Sequence, residues 1–283
     1  MAAARFAEHA VGDSAVIAAN IAVHSRMAAT YDAAEPHFRP ENRAKVRSRL
    51  EDLRRRAPGG RLIDFGCGTG FILGLAHDLF DELHGIDATP AMLERVDLSP
   101  GNIKLHRALA EKTPFPDGHF HAATAYSFIH HLQDYAAMFR EAYRVLAPGG
   151  VCYIDCEPNR LFWEAMAKLD GQTGLSAMVL KARDSVLAID AKVEAEYGIP
   201  QETFRNAEYG KSILGGVDPA EALRHAQAAG FRIAEVHFDW FLGQAEVMHG
   251  DSFAAADKIE TYLHGVAPVA NHLFKYLRLE LTK

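Results

Sequence analysis

A chain of 283 residues with 49% hydrophobic content can bury one good core and an accessory layer. Lys and Arg number 30 against 37 Asp and Glu, a net charge of −7, and the basic run that stands out, Arg54-Arg55-Arg56, closes a predicted helix, where arginine suits the dipole. That balance disfavours a nucleic-acid partner, whose phosphates call for clustered positive charge.

In chain order, the first residues, Met-Ala-Ala-Ala-Arg-Phe-Ala-Glu-His, lack the basic and then apolar pattern of a signal peptide. The apolar run Ala15–Val23 carries Asn20 and falls well short of the roughly 20 residues that span a bilayer, so no membrane insertion and a cytoplasmic location are expected. The odd count of cysteines, Cys67, Cys152 and Cys156, fits reduced thiols. A helix over 41–56 leads into a strand at 61–65, a helix at 71–80 and a strand at 82–86. Thr89-Pro90 gives an N-cap and a proline at the first helical position, and a third strand follows at 102–107. A fourth strand at 119–127, a helix at 135–146 and a fifth strand at 151–157 continue the alternation that a doubly wound parallel sheet requires. The rhythm then changes to helices at 161–169, 175–187 and 190–197, read as an insertion. Asp218-Pro219-Ala220-Glu221 restarts the core with a well-specified helix that Gly230 ends, and strands at 232–241 and 273–281 close it.

The stretch Arg61-Leu-Ile-Asp-Phe-Gly-Cys-Gly-Thr-Gly-Phe71 carries the most information. A buried strand breaks into three alternate glycines before a helix, which lets backbone approach a nucleotide-like ligand. The spacing G-x-G-x-G differs from the dinucleotide fingerprint, and no Lys-Ser/Thr follows to take phosphate. Asp87, closing the next strand, can accept from two ribose hydroxyls, which implies a ribose with both free.

Ile63-Asp64-Phe65-Gly66-Cys67-Gly68-Thr69-Gly70 resembles the first motif of the class I S-adenosylmethionine (SAM)-dependent methyltransferases. Asp87-Ala-Thr-Pro-Ala-Met-Leu93, Ala110-Glu-Lys-Thr-Pro-Phe-Pro-Asp117, Tyr126-Ser-Phe-Ile-His-His-Leu132 and Arg144-Val-Leu-Ala-Pro-Gly-Gly150 are similar to the later landmarks, in order, over about residues 57–158. The wording is most like the ubiquinone/menaquinone-type small-molecule enzymes, a likeness that constrains fold more than substrate. The resemblance implies a Rossmann-like doubly wound seven-stranded sheet with its last strand antiparallel. Around a core of 41–158 and 217–283 it would carry a helical N-terminal cover, 1–40, and a helical lid insertion, 159–216.

SAM as cofactor, and S-adenosylhomocysteine (SAH) as its product, follow from the same resemblance. The loop Gly66, Cys67, Gly68 to Gly70 would pass under the methionine part, with Asp64 helping to orient it, and Asp87 would take the ribose. Ala88 and Met92 would wall the adenine, Ala110 would read the ring edge, Tyr126 and Ser127 would meet the amino group, and Tyr31 and Arg39 the carboxylate. Leu109 stands where many relatives carry an Asp that bonds the adenine amino group. Glu111 or a backbone carbonyl replaces it, or packing alone holds the ring, at a cost of about 1 kcal/mol.

Methyl transfer from a sulfonium is an in-line displacement, for which the protein aligns the nucleophile and excludes water. Hydroxyl, phenol or carbon-acid acceptors also benefit from a base. The candidates are His131, beside His130, after the fourth strand; Glu157 at the end of the fifth; and His37 and Tyr31, with His24, in the N-terminal segment. His119 and His121 share a strand face without a third ligand, and Cys152 and Cys156 stand about 13 Å apart by strand rise, so no metal is expected. Phe162, Trp163, Met166, Met178, Phe204, Tyr209, Trp240 and Phe241 favour an apolar or aromatic small-molecule substrate. Methyl transfer is the expected function, with a homodimer compatible. The alternatives are a non-methylating SAM enzyme and a non-catalytic SAM-binding partner subunit.

Overall fold

The computed structural model describes residues 5–9 and 14–283. Residues 1–4, on which the signal-peptide reading partly rests, and residues 10–13 of the expected N-terminal cover lie outside them.

The sheet is laid down by strands that are apolar on both sides. Leu62, Ile63 and Phe65 of β2 (Arg61–Phe65) are wholly buried, as a strand sandwiched between helix layers must be. β2 pairs in parallel with β3 (Glu82–Asp87) on one side and with β5 (Phe120–Tyr126) on the other. β4 (Ile103–Arg107) extends the sheet beyond β3, and β6 (Leu146–Pro158) extends it beyond β5. β8 (Phe274–Thr282) lies antiparallel between β6 and β7 (Ile233–Phe241). The described residues add a two-residue edge strand, β1 (Ala7–Glu8), on β4, so the order is β1-β4-β3-β2-β5-β6-β8-β7. The doubly wound sheet and its antiparallel last strand are as expected; the strand count is eight rather than seven.

Two helical layers cover it. Val46, Leu50 and Leu53 of α3 (Pro40–Arg56) pack with Ile72 and Leu73 of α4 (Phe71–Ala76) on one face. Met138, Phe139 and Val145 of α6 (Tyr135–Val145) pack with Ala222 and Ala226 of α11 (Pro219–Ala229) on the other. Arg49 pins α3 to the sheet, its two amino groups donating to Asp155 at 2.6 Å and Asp239 at 2.7 Å.

Helix boundaries follow local chemistry. Asp218 accepts from Glu221 N at 2.8 Å and Gly230 ends α11 at φ 112°, as the sequence predicts. α4 stops at Ala76, short of the expected Phe80, because Asn102 takes the carbonyls of His77 and Phe80 and Arg54 takes that of Leu79. α5 (Pro90–Leu93) is a single turn, and the Thr89 hydroxyl does not cap it. β6 begins at Leu146, through Pro148-Gly149-Gly150, because the terminal Lys283 bonds the backbone of Gly149 and Gly150 and extends the pairing.

The remaining helices gather over the C-terminal ends of the parallel strands or beside them. They are α1 (Ala15–Met27), α2 (Tyr31–Ala34), α7 (Arg160–Ala167), α8 (Ala177–Leu187), α9 (Ile189–Tyr197) and α10 (Gln201–Ala207). α10 and the π turn that follows it, Tyr209–Ile213, were not expected, nor were α12 (Gln244–Gly250) and α13 (Phe253–Gly265) between β7 and β8. α10 packs chiefly on α1, where Val23, Val193, Phe204 and Ala207 form a small core of their own.

Candidate active site

Where β2 ends, Gly66, Gly68 and Gly70 all take positive φ, at 66°, 52° and 92°. A Cβ on Gly66 would stand 1.9 Å from the Phe128 ring, so glycine is required for that ring to close over the loop. A Cβ on Gly68 would meet only Met92 Cε, at 3.5 Å, and Gly68 borders a cavity of about 310 Å³. Asp87 ends β3 beside it: Oδ2 accepts from Gly68 N at 3.0 Å and Oδ1 from Thr89 N at 2.8 Å. Each carboxylate oxygen keeps a lone pair free for a hydroxyl. Ala88, Met92, Leu109 and Ala110 form the apolar end of this first cavity, with Glu111 beside them, and Ser14, Ile17, Asn20 and His24 of the α1 segment form its cover.

A second cavity, of about 230 Å³, abuts the first, and His24, Tyr31, Ser127 and His131 line both. Its far walls are Trp163, Ile189, Val193, Phe204 and Tyr276, with Glu35, Glu208, Lys211 and Lys275 as the charged groups. A third, of about 400 Å³, continues past Ser127, Cys156, Lys275 and Tyr276 toward α8 and α12. Ser127 and Cys156 hold φ of 51° and 62° at this junction, an uncommon backbone for residues with a Cβ and one that gathers at functional sites.

His131 is 9% exposed, and its Nδ1 donates to the Ala207 carbonyl at 2.8 Å, so Nε2 carries the lone pair. Burial, with His130 beside it, lowers its pKa well below the usual histidine range and leaves it neutral at pH 7. The His24 ring stands edge-on to it at 4.9 Å, and Asn20 of α1 donates to the His131 carbonyl at 3.3 Å. Tyr31 is kept protonated by burial and by Glu35. Thr69 of the glycine loop donates to Asp32 of α2 at 2.6 Å, tying the N-terminal helices to that loop.

Of the residues singled out from the sequence, Gly66, Gly68, Asp87, Ala88, Met92, Ala110, Glu111, Tyr126, Ser127, Tyr31 and His131 line the first cavity together. Others do not reach it. Asp64 lies behind the loop, 1% exposed, accepting from the Thr124 hydroxyl at 2.7 Å. Cys67 and Gly70 support the loop without lining the cavity. Arg39 and His37 line the third cavity instead, and burial among Phe38, Phe71 and Tyr126 brings the His37 pKa down to about 4. Glu157 lines none of the three cavities. Its Oε1 accepts from Phe128 N at 2.7 Å and Ile129 N at 3.0 Å, and its Oε2 from His130 N at 3.2 Å and His130 Nδ1 at 2.7 Å, so the carboxylate serves the loop and has no free face for a reaction.

Sequence reasoning missed the α1 contributors Ser14, Asn20 and His24 as first-cavity lining, and Glu208, Lys211 and Lys275 altogether. The Ser14 N-cap before an alanine-rich run was the available signal for α1. Glu208 also brings a carboxylate within 4.8 Å of ligand atoms of His130 and His131. Both Nδ1 atoms there already donate, to Glu157 and to Ala207, and the Lys211 ammonium sits on the Glu208 carboxylate. Burial pushes the Glu208 pKa up, but the Lys211 ammonium on its carboxylate outweighs it and holds the group ionised. The cluster therefore reads as an ion-paired group around Glu208. His119 and His121 lie elsewhere, where the backbone of one and the ring of the other bond Arg61.

Comparison with known proteins agrees with this geometry. Residues 63–154 match the family model described as a methyltransferase domain. A demethylmenaquinone methyltransferase of Chlorobaculum parvum is 35% identical over 95 residues, 33% of this chain and 39% of that protein. One of Listeria welshimeri is 30% identical over 152 residues, 50% of this chain and 64% of that protein. The match thus spans less than two thirds of either relative. An S-adenosylmethionine-dependent methyltransferase structure from Mesorhizobium loti superposes with a TM-score of 0.52 at 18% identity, covering 83% of this chain and 96% of that one. Over residues 63–154 the chain thus carries a methyltransferase domain, similar in sequence to the demethylmenaquinone methyltransferases and in fold to an S-adenosylmethionine-dependent methyltransferase.

Proposed function

We propose that the protein transfers a methyl group from SAM, held in the first cavity, to a small organic acceptor in the second. The observation that carries this is the shared wall: His24, Tyr31, Ser127 and His131 line both a cavity that begins at Gly66, Gly68 and Asp87 and one lined by Trp163, Phe204 and Tyr276. The residues present suit the cofactor. Asp87 keeps acceptor capacity for a ribose, Gly68 clears space for the ligand at the loop, and Leu109, Ala110 and Met92 offer an apolar slot with the Glu111 carboxyl at its rim. SAM when bound supplies a methyl on a sulfonium. The chain's residues align the acceptor against it and close out water beneath α1 and the helices of 159–216.

His131 is the general base of this reading. It is neutral, its tautomer is set by Ala207, and it belongs to both cavities. Tyr31 is a neutral donor at the same wall, whereas His37 and Glu157 support the site from behind. No helix among the described residues is long and apolar enough to cross a membrane. With its three free cysteines the chain suits the cytoplasm.

The experiment is methyl transfer from labelled SAM to a panel of phenols, amines and carbon acids. Turnover that falls about 10²–10⁴-fold in His131→Ala, with the KM for SAM unchanged, supports a base at that wall. Turnover equal to wild type in that variant removes His131 from the chemistry.

A further inference from the structure

Three lysines line the second and third cavities, Lys211 the second, Lys181 the third and Lys275 both, and their partners differ. Lys211, on the π turn, contacts Glu208; Lys181, on α8, bonds Glu246 at 2.6 Å. Lys275, near the start of β8, lines both cavities and has no carboxylate partner among the described residues; its ammonium stands 5.4 Å from the Tyr276 ring centre. A half-buried ammonium without a counter-ion carries a desolvation cost that a bound anion would offset. Burial, with Lys211 beside it, makes the charged form of Lys275 harder to keep. Glu35 lines the same junction but makes no ion pair with Lys275. Its nearest cation candidate is His37 Nδ1 at 3.8 Å, and burial and Glu208 push the Glu35 carboxyl toward its protonated form. The walls beside Lys275 are flat or apolar: Trp163, Phe204, Val193 and Tyr276.

We propose that the acceptor is a carboxylic acid on an aromatic or apolar body, its carboxylate paired with Lys275 while the body fills the second cavity toward Ser127 and His131. This rests on the reading that the first cavity holds SAM and the second the acceptor. The carboxylate would be the anchor, leaving another atom of the acceptor facing the wall shared by the two cavities. A charge-assisted bond to a carboxylate is what a lysine at such a place supplies, and an amide or ester of the same body cannot return it.

The test is calorimetric titration of the SAH-saturated full chain with benzoate, 4-hydroxycinnamate and indole-3-acetate, each beside its primary amide. The expected result is that at least one acid binds about tenfold or more tightly than its amide, with that preference lost in Lys275→Met and restored in Lys275→Arg. Equal binding of acid and amide, a preference that survives Lys275→Met, or no binding by any acid overturns the proposal. SAH is titrated first on each variant. Its binding to Lys275→Met shows that the fold and the first cavity are intact, whereas failure of the wild type to bind SAH refutes the underlying functional reading.

Discussion

Glu157 and His131 lie within one short segment of space yet have opposite characters. The first gives all its acceptor capacity to three backbone N–H groups and the His130 ring; the second spends one nitrogen on Ala207 and keeps a lone pair on the other. Replacing Glu157 by Ala leaves those buried donors without a partner, a loss of about 3–5 kcal/mol. Thermal denaturation of Glu157→Ala is therefore expected to show a large drop in melting temperature, and a stable variant that is merely inactive would contradict the structural role. From the sequence alone the two were equivalent candidates, since each ends a strand or follows one at the mouth of the site. What separates them is hydrogen-bond saturation, which depends on how the 128–131 turn folds back on β6.

Elements whose signals are local were legible. Asp218, Pro219, Glu221 and Gly230 mark the two ends of α11, and the structure starts the helix at the Asp218 cap and stops it at Gly230. Asp218→Ala is expected to cost about 1 kcal/mol in urea denaturation and to leave SAH binding intact. No loss of stability would mean that Pro219 alone directs the start. The glycine loop was legible for the same reason, because three positive-φ positions write themselves as glycines. Elements that depend on distant partners were not. α10 is short, and it settles because Phe204 and Ala207 pack against Val23 of α1. β6 runs through Pro148-Gly149-Gly150 because the last residue of the chain pairs with it. The lining of the second cavity by Glu208, Lys211 and Lys275 needs the insertion and β8 together, far apart in sequence.

Across the whole molecule the charges around the first cavity make ligand binding sensitive to pH. Burial pushes Asp64 up to about 8, with Asp87 adding to the effect, and burial raises Asp87 as well. In the ligand-free protein a raised carboxyl stabilises the fold at acid pH, and that contribution is lost as pH rises from the ordinary carboxylate range through about 8. A cationic ligand favours the ionised carboxylates, so SAM binding should expel protons and tighten as pH rises toward 8. Titrations at pH 7 in buffers of different ionisation enthalpy are expected to show net proton release that diminishes in Asp64→Asn. Heats independent of buffer would contradict it.

The central claim is that the cavity between Gly66, Gly68 and Asp87 is a SAM site, and the most direct measurement is calorimetric titration of the purified chain with SAM and with SAH, repeated on Asp87→Ala. Saturable binding of both by the wild type, lost in the variant whose carboxylate holds Gly68 and Thr89 and faces the cavity, is the predicted result. Wild-type protein that binds neither, or a variant that binds as tightly as wild type, would contradict it.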